Sequence, residues 1–171
     1  LTQDKNEVAN LATALKEVKE NLDFCKTCCF ITSNEDKTIC KLCEDKDPIL
    51  ICVVESVIDA ITIEASGIHK GGFHILHGAI SPMAGIGPEQ LKINELFNRL
   101  KRGGTKEVII ATNPTLEGEA TAMYLTKTIK ENYYDIKTTR LARGLASGTD
   151  LEYSDFNTLS NAFENRTSLD I

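Results

Sequence analysis

Residues 107–124 read EVIIATNPTLEGEATAMY. Val108 to Ala111 is a continuous apolar run, which marks a strand buried on both faces rather than one with a wet side. The Asn113–Pro114 pair breaks that run, and Glu117 to Glu131 then carries a helical pattern. A buried strand, a tight turn and a helix make one unit of a parallel-sheet protein. The same grammar appears at residues 49–67. Ile49 to Val54, ILICVV, is another buried strand. Ser56, with Asp59 three residues on, is a capping-box variant that opens a helix over Val57 to Ser66. Gly67 is placed to end that helix in the left-handed region.

Working outward, Phe73 to Leu76 reads as a short strand and Leu91 to Leu100 contains a helix. Ile136 to Leu141 reads as a further strand, and residues 155–165 as a helix with Leu159, Ala162 and Phe163 on one face. Strand and helix alternate from residue 49 onward. The expected fold class is therefore α/β, a mostly parallel sheet with helices on both faces. Toward the N-terminus, Val8, Leu11, Leu15, Val18 and Leu22 recur three and four apart, so an N-terminal helix carries an apolar stripe that needs a packing partner. The stretch between is polar, cysteine-rich and without periodicity. Four segments are expected: an N-terminal helix (1–23), a cysteine knuckle (24–47), the α/β domain (48–150) and a C-terminal helical segment (151–171).

With 171 residues and a hydrophobic fraction of 42%, the chain can build a sizeable core and is not of the disordered class. No apolar run approaches a membrane span and no signal-peptide pattern occurs. The chain begins at Leu1 rather than Met, as expected of a fragment or a processed form. Its net charge is −6. A protein whose whole surface grips phosphates is basic, so any nucleic-acid contact must come from a local patch, a partner or a further segment.

The cysteines are spaced Cys25-x2-Cys28-x11-Cys40-x2-Cys43. Each CxxC turn aims two thiolates at one point, and two such turns complete a tetrahedron around a structural zinc with no open coordination position. Redox-active thiols and an iron–sulfur cluster are the other readings. Cys29 reads as a bystander, with the choice between Cys28 and Cys29 left open, and Cys52 as a small core residue. His69, His74 and His77 read as strand-end and surface residues rather than ligands. Six cysteines without a secretory signal fit a reducing compartment.

Glu55 follows the strand ILICVV and Asn113 follows VIIAT. In a parallel sheet both emerge at the carboxyl edge, where α/β proteins place their sites. Glu117 and Glu119 open the next helix, so Glu55, Glu117 and Glu119 are candidates to converge on a metal. The competing reading is local: Asn113 as N-cap, Pro114 as first helical residue, and the two glutamates as charges that suit the helix dipole.

This constellation resembles the Toprim domain of topoisomerases, primases and certain nucleases. That family places a glutamate after its first strand and a DxD motif after a later one, and type IA topoisomerases follow the DxD with the same EGEA run found at Glu117 to Ala120. In them the acidic cluster holds magnesium for phosphoryl chemistry. Here Asn113 and Thr115 stand where the aspartates would be, which makes magnesium doubtful and catalysis unexpected. A helix, a four-cysteine knuckle and a Toprim-like sheet together resemble the RecR family of bacterial recombination mediators. The runs ICVVE (51–55), HILHGAISPMAGIGPE (74–89), EVIIATNPTLEGEATAMY (107–124) and DLEYSD (150–155) carry that resemblance. The helix-hairpin-helix segment with which that family begins is not found.

The resemblance implies a non-enzymatic, cytoplasmic, nucleoid-associated protein. Such proteins act with RecO- or RecF-type partners at gapped DNA and help load RecA on strands coated by single-strand-binding protein. They form ring-shaped tetramers; a dimer or monomer with weak DNA binding is expected without the N-terminal segment. The acidic edge at Glu55, Asn113, Glu117 and Glu119 is then a candidate docking face for a basic partner. Arg99, Lys101, Arg102 and Lys106 form the densest positive cluster, read either as a solvated helix end or as a DNA patch. The main alternative function is a magnesium-dependent Toprim nuclease or primase-like enzyme. A nucleotide site in the Gly-rich loop at 78–88 has no P-loop to support it.

Overall fold

The computed structural model describes residues 4–33, 39–148 and 150–168. The stretches 1–3 and 169–171 of the expected terminal segments, and 34–38 of the knuckle, lie outside the described residues. The elements are α1 (Lys5–Asn21), β1 (Leu22–Phe24), β2 (Ile31–Ser33), β3 (Asp47–Val54), α2 (Val57–Ser66), β4 (Gly71–Ile75), α3 (Ile93–Lys101), β5 (Glu107–Ile110), α4 (Leu116–Asn132), β6 (Lys137–Arg140) and α5 (Phe156–Glu164). The described residues fall into two compact units that divide between Thr139 and Arg140.

In the first unit the order β4-β3-β5-β6 makes a four-stranded sheet, and β3 pairs parallel with β4 and with β5. Residues 51–54 of β3 are all buried, as an uninterrupted apolar run demands. Alternation sends its side chains to two different cores. Ile51 and Val53 join Leu96 and Leu100 of α3 and Leu125 and Ile129 of α4. Cys52 and Val54 join Ala60 of α2, Phe73 and Ile75 of β4, and three of the knuckle's cysteines. The helices thus cover both faces, and the knuckle supplies part of the second layer rather than forming a separate module.

The capping box at Ser56 and Asp59 forms, and Gly67 at φ +67° closes α2. Helix α4 departs from expectation. Thr115, not Asn113, is its N-cap, accepting from the Gly118 N–H at 3.0 Å, and the helix begins at Leu116 rather than at Pro114. The antiparallel pair β1–β2 runs into the knuckle, expected to be irregular, and Leu22 and Asp23, expected in the N-terminal helical segment, lie in β1. Among the described residues nothing covers the stripe of α1: Val8, Leu11, Leu15 and Val18 are 54–64% exposed. In the second unit Asp155 caps α5 by accepting from the Thr158 N–H at 3.0 Å, and Gly144 and Ala162 approach one another there.

Candidate functional site

The knuckle is built by backbone turns that bring distant thiols together. The Cys25 N–H donates to the Phe30 carbonyl and the Cys29 N–H to the Cys25 carbonyl, curling the first CxxC; the Cys43 N–H donates to the Cys40 carbonyl, curling the second. The Sγ atoms of Cys25, Cys28, Cys40 and Cys43 all lie within 4.8 Å of one another. Cys28 and Cys40 are 3.4 Å apart and Cys25 and Cys43 4.0 Å. A tetrahedral ion bonded to four thiolates at zinc's usual distance separates its sulfurs by about 3.8 Å, so the residues fit a metal ion. Hydrogen bonding within the cluster pulls its thiols in opposite directions, raising Cys28 through Cys40 and lowering Cys40 through Cys28. A metal would take the place of those shared protons.

Geometry decides between the adjacent cysteines. Cys28 belongs to the cluster and Cys29 does not. Cys29 adopts φ +61°, and its carbonyl accepts from His77 Nε2 at 2.6 Å. Burial pushes the Cys29 thiol up to about 11 and that of Cys52 up to about 12, so both remain protonated. None of the histidines joins the cluster, but two are not surface residues. His69 is 8% exposed and His74 is fully buried. His74 lies on β4, where its Nε2 donates to the Lys92 carbonyl at 2.7 Å.

The second site is the carboxyl edge of β3 and β5. The Glu55 carboxylate accepts from the Asn113 backbone N–H and from its side-chain Nδ2, both at 2.8 Å. One oxygen takes each bond, so a single asparagine occupies both. Glu55 therefore meets Asn113 directly. Glu117 is exposed and Glu119 half-buried on the first turn of α4. Among the described residues the four cysteines are the one group of His, Cys, Asp or Glu ligand atoms gathered closely enough for a metal. Gly118 is required at this edge: a Cβ there would run into the Asn113 carbonyl and sit 2.8 Å from Glu55 Oε1. Behind it, buried Thr121 donates to the Glu117 carbonyl and accepts from the Ile80 N–H at 2.8 Å, tying α4 to the Gly-rich loop.

The basic cluster divides. Lys101, Arg102 and Lys106 are exposed. Arg99 is turned inward, its Nη1 donating to the Phe73 carbonyl at 2.6 Å and to the Thr27 carbonyl at 3.4 Å. Sequence reasoning missed this role because the spacing of four basic residues says nothing about which one lies over the glycine in a neighbouring strand.

The sheet order and the edge glutamate define a Toprim-domain protein, and the Toprim domain model matches residues 50–142. The chain is 48% identical to the recombination protein RecR of Paenarthrobacter aurescens over 97% of this chain and 82% of the relative. It is 48% identical to that of Staphylococcus haemolyticus and 47% identical to that of Staphylococcus aureus, each over 99% of this chain and 84% of the relative. The chain belongs to the RecR family of recombination proteins. No helix among the described residues is long and apolar enough to cross a membrane.

Proposed function

We propose that this chain is a non-catalytic recombination mediator in bacterial DNA repair, acting in the cytoplasm with RecO- or RecF-type partners at gapped DNA to help load RecA. The observation that carries this reading is the occupied Glu55. Where a Toprim enzyme would gather carboxylates around magnesium, both Glu55 oxygens are engaged by Asn113. An amide supplies the positive end of the interaction, so the edge keeps its shape without a cation. Exposed Glu117 and half-exposed Glu55 and Glu119, all at the strand-to-helix turns of this edge, are in this reading the acidic docking face for a basic partner. Calorimetric titration with a RecO-type protein at low and moderate salt tests it. Salt-sensitive binding that is lost in the Glu55→Lys/Glu117→Lys double variant is expected. Unchanged affinity in that variant would remove the acidic edge from the docking face, and tight magnesium binding lost on Glu55→Gln would favour an enzyme.

The four-thiol centre holds structural zinc in this reading. Its preformed sulfur geometry and the absence of an open position suit a closed site. DNA contact falls to Lys101, Arg102 and Lys106, without Arg99, whose guanidinium is already engaged. The open stripe of α1 supports self-association through that helix, which light scattering of the Leu11→Glu/Leu15→Glu variant tests.

A further inference from the structure

Arg99 presents a physical puzzle. A guanidinium taken out of water needs an anion or a full set of acceptors. Among the described residues no carboxylate forms an ion pair with it. Its hydrogen-bond acceptors are two neutral carbonyls, Phe73 on β4 and Thr27 in the first CxxC turn. Burial pushes its pKa down, and its reach to the Thr27 carbonyl places it against the turn between Cys25 and Cys28. The fold makes room for it: a Cβ at residue 72 would lie 2.6 Å from Arg99 Nη2, so Gly72 leaves the passage open.

The thiol cluster has the complementary problem. A divalent ion with four thiolates carries about two net negative charges, and Cys25, Cys28 and Cys40 are each at most 4% exposed. We propose that Arg99 is the internal counter-cation of the four-thiolate metal centre, reaching from α3 past Gly72 to the Thr27 carbonyl and thereby fixing the first CxxC turn against β4. Each group offsets the other's desolvation.

This rests on the reading of the cysteines as a metal centre, and the experiment separates the two. Metal content of the full chain purified with zinc is measured first; less than stoichiometric zinc in the unmodified chain would remove the metal reading itself. With zinc present, its affinity is measured by competition with a chromophoric chelator for the unmodified chain, Arg99→Lys and Arg99→Met. Arg99→Met keeps much of the length without the charge. It is expected to lose about 10–100-fold in zinc affinity, the usual effect of removing a group that supports metal ligands. Arg99→Lys is expected to retain most of it. The pH at which half the zinc is released should rise in Arg99→Met and stay nearly constant in Arg99→Lys, a readout that a mere packing role would not split. Arg99→Gln, which keeps a hydrogen-bond donor without the charge, should lose zinc affinity as Arg99→Met does and keeps the test available if that variant does not fold. Equal affinities in the methionine and lysine variants, whether both high or both low, overturn the proposal. So does an undiminished affinity in Arg99→Gln.

Discussion

Glu55 and Asn113 meet through two hydrogen bonds that an aspartate at 113 could not make in full. Asn113→Asp would exchange the Nδ2 donor for a second carboxylate facing the first. In a chelator-treated buffer it should destabilise the chain by about 1–3 kcal/mol, the cost of a lost bond to a charged group plus like-charge repulsion. Magnesium should restore part of that loss, which urea unfolding with and without the ion would register; no response would mean that the edge has lost the geometry of a cation site. His74 makes a second claim at this scale. Burial lowers its pKa from 6.5 to about 4, with Arg99 opposing protonation and Glu95 favouring it. The unfolded chain therefore binds a proton at higher pH than the folded one. The associated stability, about 3 kcal/mol, is present above about pH 6.5 and drains away as pH falls toward 4. The urea midpoint of the parent should drop over that interval more steeply than that of His74→Gln, and parallel slopes would refute the claim.

At the level of elements, the start of α4 is where sequence and structure part. Asn113 and Pro114 are a good cap and a good first residue, and nothing local separates them from Thr115 in the same role. What moves the cap two residues on is tertiary: Asn113 is engaged by a glutamate 58 residues earlier. The strands and remaining helices of the sheet were legible because burial on two faces, capping boxes and left-handed glycines are local signals. The short pair β1–β2 was not, since its residues are polar or exposed and its pairing follows from the cysteine turns it flanks. Thr115→Ala should cost about 1 kcal/mol. Gly118→Ala should cost more, about 1–3 kcal/mol, because its Cβ meets backbone that cannot step aside. Thermal unfolding of the two variants would give the order; a costlier Thr115→Ala would mean that the turn is looser than described.

Over the molecule as a whole, the cysteine spacing announced the four-thiol cluster and the edge glutamate announced the family, whereas the traffic between knuckle and sheet was invisible. No pattern in residues 25–43 says that their cover is Phe73 and Ile75, or that Cys52 faces them from below. The contact is also a hydrogen bond: the Ile75 N–H donates to the Cys28 carbonyl at 2.9 Å. Removing the metal should therefore be felt in the sheet. Chelation is expected to lower the thermal midpoint by at least about 10 °C and to speed exchange of the Ile75 amide. Loss of metal with the Ile75 amide still protected would show the two to be energetically separate.

That bond also has a consequence for the order of events during synthesis. The cysteines leave the ribosome well before β4, which lies some thirty residues further along the chain. Until Ile75 and His77 emerge, the first cysteine turn has neither its backbone donor nor its imidazole support. The nascent thiols are thus uncovered during a defined interval, open to capture by a metal and equally open to oxidation, and the arrival of β4 closes that interval.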